Sequence, residues 1–199
     1  MVARQLSIPE AYEFTPKVFP DQRGAFTCPY IAAEFAEVTG YELSLAQVNH
    51  SRSARGVIRG LHFAQLPPSQ AKFVYCSRGS GLDVVVDIRL GSPTFGQHDA
   101  ALIDAERCNA VFVPEGLGHA FFALEEDTVL TYLCSTGYAP EREHGIDPLD
   151  PALGLPWPSD IPMIRSAKDA EAPSLEQVRE QGVLPDYQAC LDWYSSLRS

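Results

Sequence analysis

In the stretch RGVIRGLHFAQLPPSQAKFVY, residues 55–75, side chains capable of acid–base or charge chemistry lie among apolar residues, and three of them are Arg59, His62 and Lys72. Arg59 and His62 fall within a segment that is otherwise typical of a buried strand, and Lys72 follows a Pro-Pro turn. A protein core excludes such groups unless each has a partner. This pattern therefore indicates side chains that line the wall of a cavity.

The charge of the chain is unevenly distributed. The formal net charge is −11 over 199 residues, yet no Asp or Glu occurs from Leu43 to Leu82. That interval contains the cations Arg52, Arg55, Arg59, Lys72 and Arg78. The acidic total argues against a nucleic-acid polymer as partner, and the cationic interval predicts a small anionic ligand. The alternative is a solvated basic loop.

His62 first raises the question of a metal. A metal site in a jelly roll generally needs two closely spaced histidines and a carboxylate on one strand pair, with another histidine on a later strand. The residue two positions after His62 is Ala64, and no glutamate follows before the turn. We therefore predict no metal site and no cofactor, so His62 is either a structural histidine or a general base.

Strand alternation places Asp83 and Asp87 on one face of the segment GLDVVVDIR. They either face one cavity or mark the solvent side of a sheet, which is the commoner arrangement. Tyr132, in TVLTYLCS, would by itself indicate only a core or interface residue. Together with Lys72 to stabilise an oxyanion and His62 to accept a proton, however, Tyr132 could return a proton from another direction. Such a set suits proton removal and return beside a carbonyl.

Eight short strands separated by Gly, Pro, Asn and Asp predict an all-β fold, an antiparallel sandwich or barrel. The predicted strands are 43–51, 56–63, 71–79, 81–89, 98–105, 109–116, 119–125 and 128–135. In the second of these, Gly56 and Gly60 indicate a bulge or a close approach of two backbones. No linker divides the chain, so we expect a single domain.

Short helices are predicted near each end of the chain. AAEFAEV ends at Gly40, and SLEQVREQG has Ser174 and Gln177 in the relation of a capping box, with Gly182 as its stop. A further helix is expected over QACLDWYSSL.

Targeting signals and cysteine usage favour a cytoplasmic location. No apolar run is long enough to span a membrane, and no signal segment precedes the first strand. The five cysteines are widely spaced and form no CxxC pair, which is typical of a reducing compartment.

Over nearly its whole length the chain resembles the dTDP-4-dehydrorhamnose 3,5-epimerases and their relatives in antibiotic deoxysugar pathways. The resemblance is carried by DQRGAF, AQVNHS, RGVIRGLHF, PPSQAKFVYCSRG, DVVVDIRLGSPTFG, VPEGLGHAFFAL, TYLCSTGYAPEREHGI, DPALGLPWP and SAKDAEAP. It implies a metal-free cupin-type jelly roll that forms a homodimer and acts on a dTDP-4-keto-6-deoxyhexose. We place the jelly roll at about 43–135 and a helical C-terminal segment at about 173–199, within one domain spanning 1–199.

By position, the resemblance implies that His62 is the base and that Asp169, in SAKD, is the carboxylate that orients it. Tyr132 would be the acid on the opposite face of the sugar. Lys72 would lie nearest the C4 carbonyl oxygen, with Asp83 supporting that lysine.

The same resemblance implies a set of residues that bind the substrate. They are Arg23, Phe26, Gln47, Asn49, Arg59, Lys72, His119, Tyr138, Glu143 and Lys168. Among these, Arg59 and His119 would line the sugar and diphosphate pocket, and Tyr138 would stack on thymine. Arg23 and Phe26 would reach the site from the partner subunit.

One position departs from the family pattern. Many members have a glutamate two residues after the phenylalanine of RGxF, where this chain has Cys28. Antibiotic-pathway members share this feature, and single-centre epimerases acting at C5 are known among them, so we hypothesise C5 as the principal centre. Two alternatives remain: a non-catalytic sugar-nucleotide binding cupin, and a ketoisomerase on a related cupin.

Overall fold

The structure is a computed structural model that describes residues 1–198. The strands are β1 (Val2–Gln5), β2 (Tyr12–Thr15), β3 (Val18–Asp21), β4 (Gly24–Thr27), β5 (Gln47–Ser53), β6 (Ile58–Ala64), β7 (Lys72–Arg78), β8 (Ser80–Val86), β9 (His98–Asp104), β10 (Ala110–Val113), β11 (Gly118–Ala123), β12 (Thr128–Cys134) and β13 (Glu143–Gly145). The helices are α1 (Ala32–Thr39), α2 (Ala167–Ala170), α3 (Leu175–Glu180) and α4 (Tyr187–Leu197).

Two antiparallel sheets make up most of the fold. One has the strand order β1-β2-β10-β7-β12-β5, and the other has the order β13-β6-β11-β8-β9. The strands β3 and β4 form a separate two-stranded hairpin. All eight predicted strands are present with shifted ends, which confirms the predicted antiparallel sandwich, although both sheets also take strands from outside 43–135.

The core lies between the two sheets and beneath the C-terminal segment. Val74 and Leu130 of the six-stranded sheet pack with Val85 of the five-stranded sheet in one buried cluster. On the other face of the five-stranded sheet, Val84 and Val86 pack in a second cluster with residues of α3. The five-stranded sheet is therefore buried on both faces.

This double burial shows that Asp83 and Asp87 do not mark a solvent-facing side, because they are 1% and 0% exposed. Nor do they share a cavity. Asp87 accepts hydrogen bonds from Arg89 Nη2 at 2.7 Å and from the hydroxyls of Ser92 and Thr94, each at 2.6 Å. Asp87 is thus a structural carboxylate in a saturated buried network.

The predicted helices are also confirmed. α1 ends at Gly40, which adopts a left-handed φ of +83°, and the reciprocal capping box of Ser174 and Gln177 starts α3. α4 covers the last predicted helix. None of the helices within residues 1–198 is long and apolar enough to span a bilayer.

A bulge in β6 determines which of its side chains face the interior. His62 pairs with His119 of β11, whereas Arg59 pairs with Phe121, so β6 has one extra residue between the two pairs. The extra residue interrupts the alternation of faces, and Arg59 and His62, three positions apart, line the same cavity. Gly60 lies in this bulge, with a φ of +106°.

Gly60→Ala is expected to lower the free energy of unfolding by about 3 kcal/mol or more, from backbone strain and overpacking. An added Cβ would lie 2.5 Å from the carbonyl oxygen of His119 and 2.9 Å from Ala120 Cα. Urea denaturation measures the loss. The matched control is Gly91→Ala, where φ is also positive at +85° but nothing lies within 4 Å of the added Cβ; strain alone should cost about 1–2 kcal/mol there. Equal losses for the two variants would contradict the role given to the bulge.

Candidate active site

A cavity of about 350 Å³ has walls formed by both sheets and a rim formed by the C-terminal segment. It is lined by Asn49, His50, Ser51, Arg59, His62, Gln70, Lys72, His119, Tyr132, Tyr138, Glu143, Ser166, Lys168 and Asp169. Ten of the fourteen predicted site residues line this cavity. Gln47 and Asp83 lie just behind the lining, and Arg23 and Phe26 lie elsewhere.

His62 and Asp169 form a hydrogen-bonded pair on one wall. His62 Nε2 lies 2.7 Å from Asp169 Oδ1, and the Asp169 side chain is only 8% exposed. Burial alone would raise the pKa of Asp169, but the hydrogen bond and charge of His62 outweigh it and hold that pKa below its usual value. With Nε2 donating to this carboxylate, Nδ1 is the ring nitrogen left to accept a proton.

Local structure explains how Asp169 reaches a strand more than a hundred residues earlier in the chain. Ile164 pairs with the start of β6: its carbonyl oxygen accepts from Ile58 N at 2.8 Å, and its N–H donates to Gly56 O at 2.9 Å. The Ser166 side chain then caps α2 by accepting from Asp169 N at 3.1 Å. The segment is thereby fixed beside the strand that carries His62.

Lys72 contributes a positive charge to the wall of the cavity. Burial lowers the pKa of its ammonium group, while the nearby charge of Glu143 and, more weakly, that of Asp83 act in the opposite direction. Cys134 is the cross-strand partner of Lys72 on β12. A cation withdrawn from bulk water in this way is well suited to stabilise a developing oxyanion.

Tyr132 belongs to the other sheet and faces the cavity from the wall opposite His62. Its hydroxyl lies 3.4 Å from Ser51 Oγ, and its ring centroid lies 6.0 Å from that of His119. Burial raises the pKa of Tyr132 to about 12, so the phenol remains protonated near neutral pH. It is therefore available as a proton donor.

The resemblance implied that Asp83 supports Lys72, and the structure places the hydrogen bond of Asp83 on His119 instead of on the lysine. Its Oδ2 is 2.8 Å from His119 Nε2, and its Oδ1 is buried without a hydrogen-bond partner among residues 1–198. The reason is that β8 and β11 are neighbours, which places His119 within direct reach. Asp83 acts on Lys72 through its charge and on His119 by contact.

The inward face of β5 forms a ladder of polar side chains. Gln47 Oε1 accepts from Tyr138 N at 2.9 Å, and Asn49 Nδ2 donates to Cys134 Sγ at 3.6 Å. Further along the strand, Ser51 Oγ lies 3.4 Å from the Tyr132 hydroxyl, and Ser53 Oγ accepts a hydrogen bond from Arg59 Nε at 3.0 Å. Sequence reasoning missed four lining residues, His50, Ser51, Gln70 and Ser166, and also Ser53, which contacts Arg59. A polar residue at every second position of QVNHSRS was the available signal for both β5 serines.

The basic residues of the interval from Leu43 to Leu82 divide into two groups, one at the cavity and one on the solvated surface. Arg59 and Lys72 line the cavity, in agreement with the anionic ligand that the charge pattern predicted. In contrast, Arg52 and Arg78 both pair with the carboxylate of Asp127 outside the cavity. Arg55 is exposed and donates to a backbone carbonyl.

Arg23 and Phe26 are on the β3–β4 hairpin rather than at the cavity. Arg23 Nη2 is 2.5 Å from Asp21 Oδ2, and both side chains are largely exposed. Phe26 is 65% exposed and lies beside Phe19. Within the described residues, no group of three or more His, Cys, Asp and Glu side chains is arranged to hold a metal ion.

Glu143→Gln is expected to lower the pKa of the Lys72 ammonium further, because it removes the main opposing negative charge. The measurement is a pH titration of the Lys72 Cε resonance by NMR. Glu141→Gln provides the control, since Glu141 is an exposed carboxylate two residues away that does not line the cavity. An unchanged titration in Glu143→Gln would contradict this electrostatic account.

Comparison with known proteins places these features in a family. The sequence profile of the dTDP-4-dehydrorhamnose 3,5-epimerase family matches residues 5–177. The dTDP-4-dehydrorhamnose 3,5-epimerase of Mycolicibacterium smegmatis is 50% identical over 198 residues, which cover 100% of this chain and 98% of that protein.

Solved structures agree. The rmlC epimerase of Mycobacterium tuberculosis matches with a TM-score of 0.97 and 46% identity over 100% of both chains. ChmJ, a 3'-monoepimerase from Streptomyces bikiniensis solved in complex with dTDP-quinovose, matches with a TM-score of 0.95 and 46% identity over 98% of both chains. These matches confirm the predicted cupin-type jelly roll. The chain belongs to the dTDP-4-dehydrorhamnose 3,5-epimerase family.

Proposed function

We propose that this protein inverts a dTDP-4-keto-6-deoxyhexose at C3, or at C3 and C5, by removing a proton beside the C4 ketone and returning one from the opposite side. One observation carries this proposal: a histidine–carboxylate pair and a protonated tyrosine face each other from different sheets across one cavity that also contains a lysine. Family membership supports the same reaction.

The first step removes a proton. His62 Nδ1 accepts the proton from the carbon next to the ketone, and the ionised Asp169 stabilises the imidazolium that forms. The electron pair left on carbon moves to the C4 oxygen, where the Lys72 ammonium stabilises the enolate. Both products of the step carry charge, and each has an oppositely charged partner.

The second step returns a proton to the other side of the same carbon. Tyr132 donates from the wall opposite His62, so the carbon is inverted. If donor and acceptor lay on one wall, the original configuration would be restored. The two-sheet architecture therefore turns proton exchange into epimerisation.

The remaining predicted residues are proposed to bind the nucleotide sugar. Arg59 offers a cation for the diphosphate, and the exposed ring of Tyr138 offers a stacking surface for thymine. The others in this proposed role are Gln47, Asn49, His119, Glu143 and Lys168. The dTDP-quinovose complex of ChmJ shows a related protein with a sugar nucleotide of this type.

We propose that the chain works as a homodimer in which Arg23 and Phe26 reach the partner's cavity. Support comes from the β3–β4 hairpin, which forms its own two-stranded sheet and exposes two aromatic rings, Phe19 at 48% and Phe26 at 65%. Exposed aromatic pairs of this kind are typical of interfaces.

The relatives bear on which carbon reacts. The M. smegmatis relative is a 3,5-epimerase, and the S. bikiniensis relative is a 3'-monoepimerase, so C3 is the position they share. We therefore propose that inversion begins at C3, in place of the hypothesis that C5 is the principal centre. Cys28 is compatible with either outcome.

We also propose that residues 1–199 act as one domain in a reducing cytoplasm, which agrees with five free cysteines.

Of the two alternative functions, a non-catalytic binding module would have no need of both a paired histidine and an opposing phenol. A ketoisomerase would need a different arrangement of histidines. The site geometry favours neither.

His62→Ala should nearly abolish deuterium exchange into the sugar in deuterium oxide, because it removes the group proposed to take the proton from carbon. Tyr132→Phe should keep exchange while losing inversion, because only the returning proton is affected. Proton NMR of a dTDP-4-keto-6-deoxyhexose with each variant measures both quantities. Exchange by His62→Ala at close to the native rate would show that the base is misassigned.

Asp169→Asn is expected to reduce the rate of exchange by about 10²-fold or more, since the imidazolium loses its anionic partner. The same NMR assay measures it. Glu171→Gln is the matched control, as Glu171 is an exposed carboxylate two residues further along the same segment. Equal rates for the two variants would contradict the orienting role of Asp169.

A further inference from the structure

Asp169 reaches His62 from a loop formed by residues 164–173, which we call the Asp169 loop. Within the described residues, the 2.7 Å contact with His62 is the hydrogen bond that joins the interval 166–172 to the sandwich. The other hydrogen bonds of that interval are internal to it, such as that from Asp169 N to Ser166 Oγ. The position of the Asp169 carboxylate therefore depends on how the two ends of the loop are held.

Asp147 contacts both ends of the Asp169 loop. At one end, Arg165 Nη1 donates to Asp147 Oδ1 at 2.8 Å. At the other end, Asp147 N donates to the carbonyl oxygen of Pro173, also at 2.8 Å. The same Oδ1 accepts from Leu149 N at 2.9 Å, which fixes the direction of the carboxylate. One residue thus closes the loop.

Asp147 is itself tied to the strand that carries His62. Gly145 of β13 pairs with His62 of β6, and Ile146 exchanges two backbone hydrogen bonds with Leu61, at 2.9 and 3.2 Å. Asp147 is the next residue in the chain. The base and the loop that supplies its carboxylate are therefore held by the same pair of strands.

We propose that Asp147 and Arg165 are positioning residues that hold the Asp169 carboxylate against His62. Neither lines the cavity, so they act through Asp169 and not on the sugar. The backbone pairing of Ile164 with β6 ends one residue before Arg165, which leaves the ion pair as the last hydrogen bond to the sandwich before Asp169 among residues 1–198. This role rests on the proposed function, because it takes His62 as the base.

The exposure of the ion pair separates positioning from a general effect on stability. The Arg165 and Asp147 side chains are 24% and 32% exposed, and pairs that are open to solvent contribute little to the stability of a fold. A small displacement of a catalytic pair, in contrast, is costly to the reaction. Loss of the pair should therefore affect proton exchange much more than unfolding.

Arg165→Met removes the charge and keeps an extended side chain. It should slow deuterium exchange into the sugar by about 10-fold. It should cause no further loss in the Asp169→Asn protein, where there is no carboxylate to position. Arg165→Lys, which keeps the charge, should remain close to the native rate. Arg179→Met is the matched control, because the pair of Arg179 with Glu176 lies within α3, and urea denaturation checks that each variant is folded.

The pKa of Asp169 provides a readout that needs no turnover. Burial would raise this pKa, and the hydrogen bond and charge of His62 are the main influences that lower it. Ser166 and Lys168, which lower it further, belong to the same loop and move with it. Arg165→Met should therefore raise the pKa of Asp169 towards its usual value, as measured by carbon NMR of the Asp169 Cγ resonance, whereas Arg179→Met should not.

The outcomes separate this proposal from the proposed function. If Arg165→Met slows exchange equally in the native and Asp169→Asn proteins, or changes neither exchange nor the titration of Asp169, the positioning role is wrong. If the native protein exchanges no proton of the sugar while Arg165→Met still raises the pKa of Asp169, the proposed function fails and the ion pair is shown to hold the carboxylate.

Discussion

The hydrogen bond between His62 and Asp169 is the interaction on which the rest of the site depends. It joins a strand of the sandwich to a four-residue helix from the far end of the chain. The C-terminal segment is in turn fixed by apolar packing of α3 on the outer face of the five-stranded sheet. The sandwich alone therefore supplies a histidine, and the C-terminal segment supplies the carboxylate that fixes its orientation.

A second constraint is the cost of enclosing charge. Lysine and carboxylates are rarely buried unless they are paired. At Lys72, the nearby negative charges of Glu143 and Asp83 offset part of the desolvation. The same burial raises the pKa of Tyr132 and keeps it protonated. Burial in one cavity thus strengthens the electrostatic effect of the lysine and keeps the tyrosine protonated.

The sequence predicted much of this arrangement, for identifiable reasons. Strand alternation found the eight central strands, and the position of a capping box found α3. The strands β1 and β2 were missed because each has four residues and neither is apolar throughout, as the equally short β10 is. The burial of Asp87 was not predicted, because alternation within one strand does not reveal that both faces of the sheet are covered. Ser51 was missed because serine is ordinary on an edge strand until its cross-strand neighbour is known.

The effect of the bulge at Gly60 on which side chains face the cavity could not be predicted from the sequence. Regular alternation would place Arg59 and His62 on opposite faces, and only the register with β11 shows that they share one. A glycine pointed to a bulge or a close approach, and the structure contains both at that position. The cavity therefore depends on long-range pairing that single residues do not encode.

The central claim is that inversion proceeds by exchange of a carbon-bound proton with solvent. Proton NMR of the native protein with a dTDP-4-keto-6-deoxyhexose in deuterium oxide tests this most directly. The account predicts that every inverted sugar carries solvent deuterium at C3, and at C5 too if that centre is inverted. Inverted sugar that retains its original hydrogen at C3 would contradict it.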